Sequence, residues 1–353
     1  MGDIAGPILQ WVVDTLACGA KVAGATRLRA HSGPWLLRID GDAVTETVLK
    51  CGRSSDWGEL YACEAAALRL AAEHGIPAPA VLGFRAEVNG SDHAALLLSW
   101  LAGTTEIPMF ASGERLHASG RIAAMVHRVP LRPSHVLPLR TRHTAWTDFA
   151  LWRRWGSHYR SAVSDAERES VLRDFIAKHP LGGVGVMTGA VPWSIEGARE
   201  ALSTVDSTPL LDAAGERLLG LPMPDGPIVF VHGDLWQGNT LWHGDRCVGL
   251  IDWEVAGAGQ PGVDLGCLRW DAAMLFGAAA ADEALAGWED MTGRPAPHVA
   301  YWDLVAVLNY PTDMGRLVSS LTEQGRPDLD VRVLTERRDA WIEATLAELD
   351  RGT

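Results

Sequence analysis

The feature that most restricts how this chain can fold is a predicted β-hairpin with a polar side chain on each side of its open end. Residues 240–242 and 247–251 have strand-like composition, and residues 243–246 between them have turn composition. In an antiparallel hairpin centred on this turn, Asn239 and Asp252 lie at the same end. The hairpin therefore predicts that both side chains can reach one bound cation.

The loop before the hairpin adds a carboxylate at a fixed spacing, His232-Gly233-Asp234 followed by Asn239. Phosphoryl transfer needs a carboxylate that orients the attacking hydroxyl and oxygen ligands for magnesium on the nucleotide. Asp234, Asn239 and Asp252 would supply these groups. The spacing is that of the protein-kinase catalytic loop, with glycine in place of arginine. A polar loop with a capping aspartate and an ordinary hairpin is the alternative interpretation.

Residues 230–266 resemble the active-site sequence of the aminoglycoside phosphotransferase family, a set of small-molecule kinases with the protein-kinase-like fold. The family pattern is His-Gly-Asp-x-x-x-x-Asn, then Ile-Asp-Trp or Ile-Asp-Phe, then Asp-Leu-Gly or Asp-Leu-Ala. The matching residues are His232, Gly233, Asp234, Asn239, Ile251, Asp252, Trp253, Asp264, Leu265 and Gly266. The resemblance implies an α+β, bilobal fold. Residues 1–101 would form a small β-rich nucleotide-binding lobe that ends in a hinge, and residues 102–353 a larger helical catalytic and acceptor-binding lobe.

The resemblance also implies a division of roles. Asp234 would orient the acceptor hydroxyl and take its proton, while Asn239 and Asp252 would coordinate Mg²⁺. Asp264 would accept hydrogen bonds from the backbone of the catalytic loop, and His232 would hold the shape of that loop. ATP or GTP would be the co-substrate.

Lys50 is noteworthy because the chain uses arginine for nearly all of its basic residues. Only three of the 31 lysine and arginine residues are lysines, and these are Lys21, Lys50 and Lys178. Lys50 closes the third predicted strand, and the resemblance implies that it contacts the nucleotide phosphates. Glu64 falls within the apolar stripe of the helix that follows. A buried carboxylate costs on the order of several kcal/mol unless it is paired, which predicts a Lys50–Glu64 pair. The alternatives are that Glu64 reaches water at the edge of the stripe, or that Glu59, which suits helix capping better, is the partner.

The rest of the N-terminal lobe is predicted from local patterns. Helical spacing of apolar residues indicates a lead-in helix over residues 7–16 and a helix capped by Asp56. Strands are predicted over residues 25–30, 35–39, 43–49 and 94–98. The first turn contains Ser32 and Gly33, which the resemblance assigns to the nucleotide phosphates. A plain hairpin turn is the alternative, because the family loop usually carries more than one glycine.

The segment after the last of these strands corresponds to the hinge of kinase-like folds. Its backbone would contact the nucleobase, which makes Ser99 and Leu101 candidate binding residues. An ordinary strand exit is the alternative. In the C-terminal lobe, His127 near the end of a predicted helix is expected to be a packed histidine and not a catalytic one.

Residues 130–227 form a stretch longer than the fold needs, and helices are predicted near residues 147–159, 165–178 and 196–219. Its four tryptophans, interpreted as core residues or as an aromatic wall for the acceptor, are Trp146, Trp152, Trp155 and Trp193. The glycine-rich run 182–185 lacks the strand, helix and Gly-Lys-Ser context of a P-loop. Residues 299–351 are predicted to form two helices at the rim of the acceptor site, with Asp303, Asp313 and Glu323 as candidate contacts.

Composition narrows the functional classes. The net charge is −13, which disfavours nucleic acid as a partner. No apolar run approaches the roughly 18 residues that a membrane helix needs. The five cysteines are scattered and form no C-x-x-C motif, which predicts free thiols. We therefore expect a cytoplasmic protein with no nucleic-acid or membrane partner.

The expected reaction is O-phosphorylation of a small, hydroxyl-bearing natural product, with a glycosylated antibiotic as the favoured acceptor and resistance as the result. A metabolic kinase for choline, homoserine or a ketosamine is the first alternative, although ketosamine kinases usually have Asp-Pro where this chain has Asp252-Trp253. A nucleotide-binding module without turnover is the second alternative. A metal-dependent hydrolase is the third, but the clustered histidines of such sites are missing from the sequence.

Overall fold

A computed structural model describes residues 4–16, 19, 21–28, 33–41, 45–141, 149–178 and 195–351. The predictions made for Ser32, Trp146, Trp193 and residues 182–185 lie outside these ranges, as does the side chain of Trp152. The described residues have the predicted α+β architecture. An antiparallel sheet forms the N-terminal region, and helices dominate the remainder.

Five strands form the N-terminal sheet: β1 (Lys21–Arg27), β2 (Trp35–Asp40), β3 (Thr45–Arg53), β4 (Val81–Arg85) and β5 (His93–Ser99). Their order is β1-β2-β3-β5-β4, and neighbouring strands are antiparallel. β1 begins at Lys21 and not at residue 25. The register shifts near Gly24, and a glycine at such a bulge hides the strand pattern. β3 continues to Arg53, so Lys50 lies inside the strand and does not close it.

Two helices pack against this sheet, α1 (Gly6–Leu16) and α2 (Ser54–Glu73). α1 is the predicted lead-in helix, and Ile8 and Val12 on one of its faces join a core cluster with apolar residues of β2, β3 and β5. This cluster covers the face of the sheet that α2 does not cover. β5 is therefore buried on both faces, and the adjacent strand β3 has one face towards α2 and the other towards this cluster.

α2 begins three residues earlier than predicted, at Ser54, because its N-cap is Arg53 and not Asp56. The predicted N-cap, Asp56, lies instead in the first turn. Its carboxylate accepts hydrogen bonds from the side chains of Arg53, at 3.2 Å, and Ser55, at 2.7 Å. β3 leads directly into α2, and this short connection leaves no room for a separate capping loop.

The helices of the remainder are α3 (Gly113–His127), α4 (Phe149–Ser161), α5 (Asp165–Lys178), α6 (Ile195–Thr204), α7 (Pro209–Leu219), α8 (Gly262–Phe276), α9 (Ala278–Thr292), α10 (Val299–Leu308), α11 (Gly315–Glu323) and α12 (Val331–Arg351). Short strands accompany them: β6 (Leu139–Arg140), β7 (Val229–Val231), β8 (Thr240–His243), β9 (Arg246–Leu250) and β10 (Gly257–Gly259). A 3₁₀ turn spans Gln237–Asn239. α8 is buried along nearly its whole length and lies at the centre of this region. None of the described helices is both long enough and apolar enough to cross a membrane.

The long stretch before β7 contains a small helical core of its own. α4, α5 and α6 bury Tyr159, Leu172, Phe175 and Leu202 together. Trp155 packs edge-on against Phe175, with ring centroids 5.7 Å apart, which supports the interpretation of this tryptophan as a core residue. The single helix predicted over residues 196–219 is two helices, because Pro209 starts α7 and Thr208 caps it.

The C-terminal stretch contains three helices and not the two predicted. Pro311 cannot donate a backbone hydrogen bond, and the chain breaks between α10 and α11 at this point. The prediction that Asp303 contacts the acceptor is wrong. Asp303 is buried on α10, and its carboxylate accepts two hydrogen bonds from Nε of Arg269, at 3.1 and 3.2 Å. It neutralises a buried cation and is not available at a site rim.

Candidate active site

A cleft of about 1230 Å³ lies between the N-terminal sheet and the β8–β9 hairpin. Lys50 and Glu64 line it from the N-terminal side, and Asp252 and Glu254 from the other side. Residues 99–101 line the strip that connects the two. The cleft is larger than the roughly 300–1,000 Å³ usual for a small-molecule site, so it has room for a nucleotide.

Lys50 is the centre of the charged wall of this cleft. Its Nζ lies 2.9 and 2.7 Å from the two carboxylate oxygens of Glu64, so the predicted contact is present. The same nitrogen lies 2.5 Å from Oδ1 of Asp252. β3 directs Lys50 towards α2, and Glu64 is 1% exposed on the helix face that it meets. The pairing satisfies a carboxylate that burial would otherwise make costly.

Glu254 is a third carboxylate at Lys50, and the sequence analysis missed it. Its Oε2 lies 3.3 Å from Nζ of Lys50. One oxygen each of Glu64, Asp252 and Glu254 lie within 4.8 Å of one another. A strand-like alternation could not have revealed it, because Asp252 has a φ of 70° and Glu254 and Val255 lie in a turn.

The pKa values of this cluster follow from burial and mutual repulsion. Burial alone would lower the pKa of Lys50, but the carboxylates of Asp252, Glu64 and Glu254 raise it well above its ordinary value. Burial raises the pKa of Glu64, although Lys50 opposes the shift. Burial, followed by repulsion from Asp252, raises the pKa of Glu254 to about 8. Three carboxyl groups therefore share one ammonium group, and a further cation beside them would favour their ionised forms.

The predicted catalytic loop, residues 232–239, is held by backbone hydrogen bonds to Asp264 on α8. The two carboxylate oxygens accept the N–H groups of His232 and Gly233, both at 2.8 Å. His127 of α3 is 3.0 Å from the same carboxylate and is buried in a packed position, as expected. Burial would raise the pKa of Asp264, but the hydrogen bond from His127 and the charges nearby hold it below its ordinary value.

His232 uses both ring nitrogens for structure. Nδ1 accepts the N–H of Asp234 at 3.3 Å, and Nε2 donates to the carbonyl oxygen of Ile251 at 3.0 Å. This pattern requires the neutral ring, and burial lowers the pKa of His232 accordingly. The next residue, Gly233, has a φ of 85°. A Cβ at Gly233 would lie 2.1 Å from the carbonyl oxygen of Val255, so only glycine fits.

Asp234 and Asn239 face each other across the loop. The amide nitrogen of Asn239 donates to the backbone oxygen and to Oδ2 of Asp234, at 2.9 and 3.0 Å. This orientation leaves the amide oxygen of Asn239 as the atom able to ligate a cation. Burial, and then the charge of Asp252, raise the pKa of Asp234 to about 7 in spite of the hydrogen bond from Asn239.

The β8–β9 hairpin places Asn239 and Asp252 at one end, as the sequence predicts. Thr240 pairs with Leu250, and the N–H of Ile251 donates to the carbonyl oxygen of Asn239 at 3.0 Å. Asp252 adopts a φ of 70°, a left-handed conformation that aspartate tolerates better than most residues. This conformation turns its side chain towards Lys50.

Of the other candidate residues, some line the cleft and others do not. Gly33, Ser99 and Leu101 line the cleft, but the hydroxyl of Ser99 already accepts the N–H of Ala80 at 2.9 Å. Glu323 also lines the cleft. Asp313 is exposed and accepts the N–H of Gly315 at 2.8 Å. Glu59 is exposed on α2 and is not the partner of Lys50.

The donor set suits Mg²⁺. This ion prefers hard oxygen ligands and usually binds through one or two carboxylates together with substrate phosphates. Asp252 is 32% exposed to the cleft, and the Asn239 amide oxygen belongs to the same end of the hairpin. Asn239 and Asp252 could therefore hold the ion, with Glu254 within reach of the same position.

Comparison with known proteins agrees with this geometry. The family model described as the phosphotransferase enzyme family matches residues 29–299. The curated protein sequences contain no significant match. Among solved structures, spectinomycin phosphotransferase, APH(9)-Ia, in complex with ADP and spectinomycin, aligns with a TM-score of 0.57 at 13% identity, covering 97% of this chain and 99% of that one.

A second similar structure is the macrolide 2'-phosphotransferase MphH from Brachybacterium faecium. It aligns with a TM-score of 0.54 at 17% identity, covering 92% of this chain and 97% of that one. At these identities the likeness concerns the fold, which is the predicted kinase-like, two-lobed one. The family model spans most of the 353 residues, and the chain therefore belongs to the phosphotransferase enzyme family.

Proposed function

We propose that this protein transfers the terminal phosphoryl group of ATP or GTP to a hydroxyl group of a small natural product, with a glycosylated antibiotic as the favoured acceptor. The observation that carries the proposal is the contact of Lys50 with Asp252 in the cleft, at the end of the hairpin whose other end residue, Asn239, is hydrogen-bonded to Asp234. Two proteins of similar fold are described as phosphotransferases acting on a macrolide and on spectinomycin. Their names favour an antibiotic acceptor here.

Each residue has a role in this mechanism. Lys50, held by Glu64, would bind the nucleotide phosphates, and the backbone of residues 99–101 would bind the base. Asn239 and Asp252 would coordinate Mg²⁺, which, when bound, neutralises charge on the phosphate oxygens. Asp264 and His232 would keep the loop in place.

Asp234 would orient the acceptor hydroxyl for attack on the terminal phosphorus and accept the hydroxyl proton as the new O–P bond forms. The bond to the bridging oxygen then breaks, and the nucleoside diphosphate leaves. The catalytic contribution is mainly alignment and charge stabilisation. Asn239 keeps the carboxylate of Asp234 in a fixed rotamer through the hydrogen bond between them.

The decisive experiment is a nucleotide-consumption screen with ATP and GTP against hydroxylated antibiotics, sugars, choline, homoserine and ketosamines. We expect product with at least one antibiotic, detected as a mass gain of one phosphoryl group. Asp234→Asn should remain folded and lose kcat by at least about 10²-fold. Asp252→Ala should abolish magnesium-dependent turnover.

Three results would count against parts of the proposal. Near-wild-type turnover in folded Asp234→Asn would remove its catalytic assignment. Unchanged magnesium dependence in both Asn239→Ala and Asp252→Ala would place the metal elsewhere. Efficient phosphorylation of choline, homoserine or a ketosamine, with every antibiotic unmodified, would replace antibiotic inactivation by a metabolic kinase activity.

A further inference from the structure

The catalytic loop is held at a second point, well separated from the hydrogen bonds to Asp264. Gln237 begins the 3₁₀ turn that ends at Asn239. Its backbone N–H donates to Oδ2 of Asp271 on α8 at 2.9 Å. Asp271 is buried, and burying a carboxylate is costly unless its hydrogen bonds compensate.

α8 therefore presents two carboxylates to the same loop. Asp264 and Asp271 are seven residues apart, which places them on one helix face, about 10.5 Å apart along the axis. Asp264 holds the part of the loop before Asp234, and Asp271 holds the part before Asn239. Because α8 is packed on all sides, the two anchors are fixed relative to each other.

The side chain of Gln237 is fixed from the opposite direction. Its Oε1 accepts a hydrogen bond from Nε of Arg115 at 3.1 Å. The guanidinium group of Arg115 lies 4.1 Å from the centre of the Trp242 ring and donates to the carbonyl oxygen of Glu106. The 3₁₀ turn is thus held through its backbone by α8 and through its first side chain by α3.

We propose that Asp271 is a positioning residue that sets the location of the Asn239 amide oxygen and so controls how strongly magnesium supports nucleotide binding. This inference rests on the proposed function, in which Asn239 is a metal ligand. Asp271 acts only through the turn: it bonds the backbone of Gln237, two residues before Asn239. Residues that orient metal ligands typically change metal affinity about 10- to 100-fold when they are removed.

The test measures ADP binding by titration calorimetry with and without Mg²⁺, so that no acceptor is needed. We expect Asp271→Leu and Asp271→Ala to lose about 10-fold or more of the magnesium-dependent gain in ADP affinity. Magnesium-free ADP binding, which depends on Lys50 and the hinge, should change less than about 2-fold. Asp271→Asn keeps an acceptor oxygen for the Gln237 N–H and should retain most of the gain.

Asp303→Asn is the matched control, because Asp303 is an equally buried helix carboxylate that contacts Arg269 and not the loop. It should keep the wild-type magnesium gain, and thermal unfolding identifies which variants are folded. Leucine branches at Cγ as aspartate does, so Asp271→Leu removes the buried carboxylate without leaving a cavity. This variant should therefore fold even if the alanine variant does not.

Two results would overturn the proposal while leaving the proposed function intact. The first is a wild-type magnesium gain in a folded Asp271→Leu or Asp271→Ala variant. The second is an equal loss in Asp303→Asn. If magnesium gives no gain in the wild-type protein, the assignment of Asn239 and Asp252 as metal ligands fails together with this inference.

Discussion

The predicted catalytic loop and the Lys50 cluster, which the β8–β9 hairpin connects, are stabilised in different ways. The loop is held by hydrogen bonds from its backbone N–H groups to Asp264 and Asp271, with both donors and acceptors inside the protein. The cluster instead gathers three carboxylates around the single ammonium of Lys50. The hydrogen bonds of the loop are satisfied without a ligand, whereas the cluster has more carboxyl groups than cations, and a bound cation would favour their ionised forms.

The difference suggests a division between two sets of residues: one set keeps the loop in a fixed conformation, and the other set provides the charges for ligand binding. The groups that must keep a fixed position lie on the loop, and hydrogen bonds within the protein hold them there. In the proposed function, the groups that would bind the charged ligand lie around Lys50 and depend on electrostatics. Substitutions in the loop should therefore change stability and turnover together, whereas substitutions in the cluster should change ligand binding more than folding.

The largest effect is expected for Asp264→Ala, which removes the acceptor for two backbone N–H groups and for His127. Leaving buried donors unpaired costs about 1–3 kcal/mol each, so the free energy of unfolding should fall by at least about 3 kcal/mol. Denaturant titration measures this. Asp264→Asn, which keeps one acceptor oxygen, should give a smaller loss. A loss below about 1 kcal/mol for the alanine variant would mean that the loop does not depend on α8.

A smaller effect is expected from the contact between Lys50 and Glu64. Either alanine variant should weaken ADP binding, and the double variant should lose much less than the sum, because contacting residues couple by about 0.5–3 kcal/mol. Calorimetry on the four proteins gives the coupling. The exposed pair Arg53–Asp56, at the same junction of β3 and α2, is the control and should be additive. Additive losses for Lys50 and Glu64 would show that their contact does not matter for binding.

An effect on folding that depends on pH is expected for Glu254→Gln. Because the folded-state pKa of Glu254 is raised to about 8, above its unfolded value, ionised Glu254 opposes folding. Its unfavourable contribution grows as pH rises between the unfolded pKa and about 8. As pH rises over this range, the free energy of unfolding of the variant should therefore fall less than that of the ligand-free wild type. The variant should also gain less thermal stability when Mg²⁺ is added. Identical pH profiles for the two proteins would contradict this account.

The sequence was sufficient to predict a contact where the pattern of neighbouring residues was informative. Glu64 in an apolar helix stripe required a cation, and Lys50 was the candidate on the neighbouring strand. The hairpin that joins Asn239 to Asp252 followed from turn chemistry over a few residues. In both cases the partner lay on an adjacent element, so local patterns decided the outcome.

Sequence was insufficient where the partner lay on a distant helix. From the sequence, Asp303 was interpreted as a carboxylate at the rim of the acceptor site, but in the structure it pairs with Arg269 of α8. Asp271 had no local signal, because its partner Gln237 is 34 residues away in sequence. Glu254 had no clear local signal, because the chain turns at residues 252–255 and does not alternate as a strand does. Long-range packing of α8 decides the first two cases, and single-sequence patterns do not contain it.

The contact between Lys50 and Asp252 joins positions 202 residues apart, and this separation has a consequence for folding. Closing a loop of this size is entropically unfavourable until other native contacts have formed, and such long-range contacts arise late. The binding site therefore assembles only when the N-terminal sheet and the helical region have both folded and docked. If the proposed function holds, binding of a nucleotide will report on completion of the whole fold, because a partly folded chain does not have the site, however well its individual elements are formed.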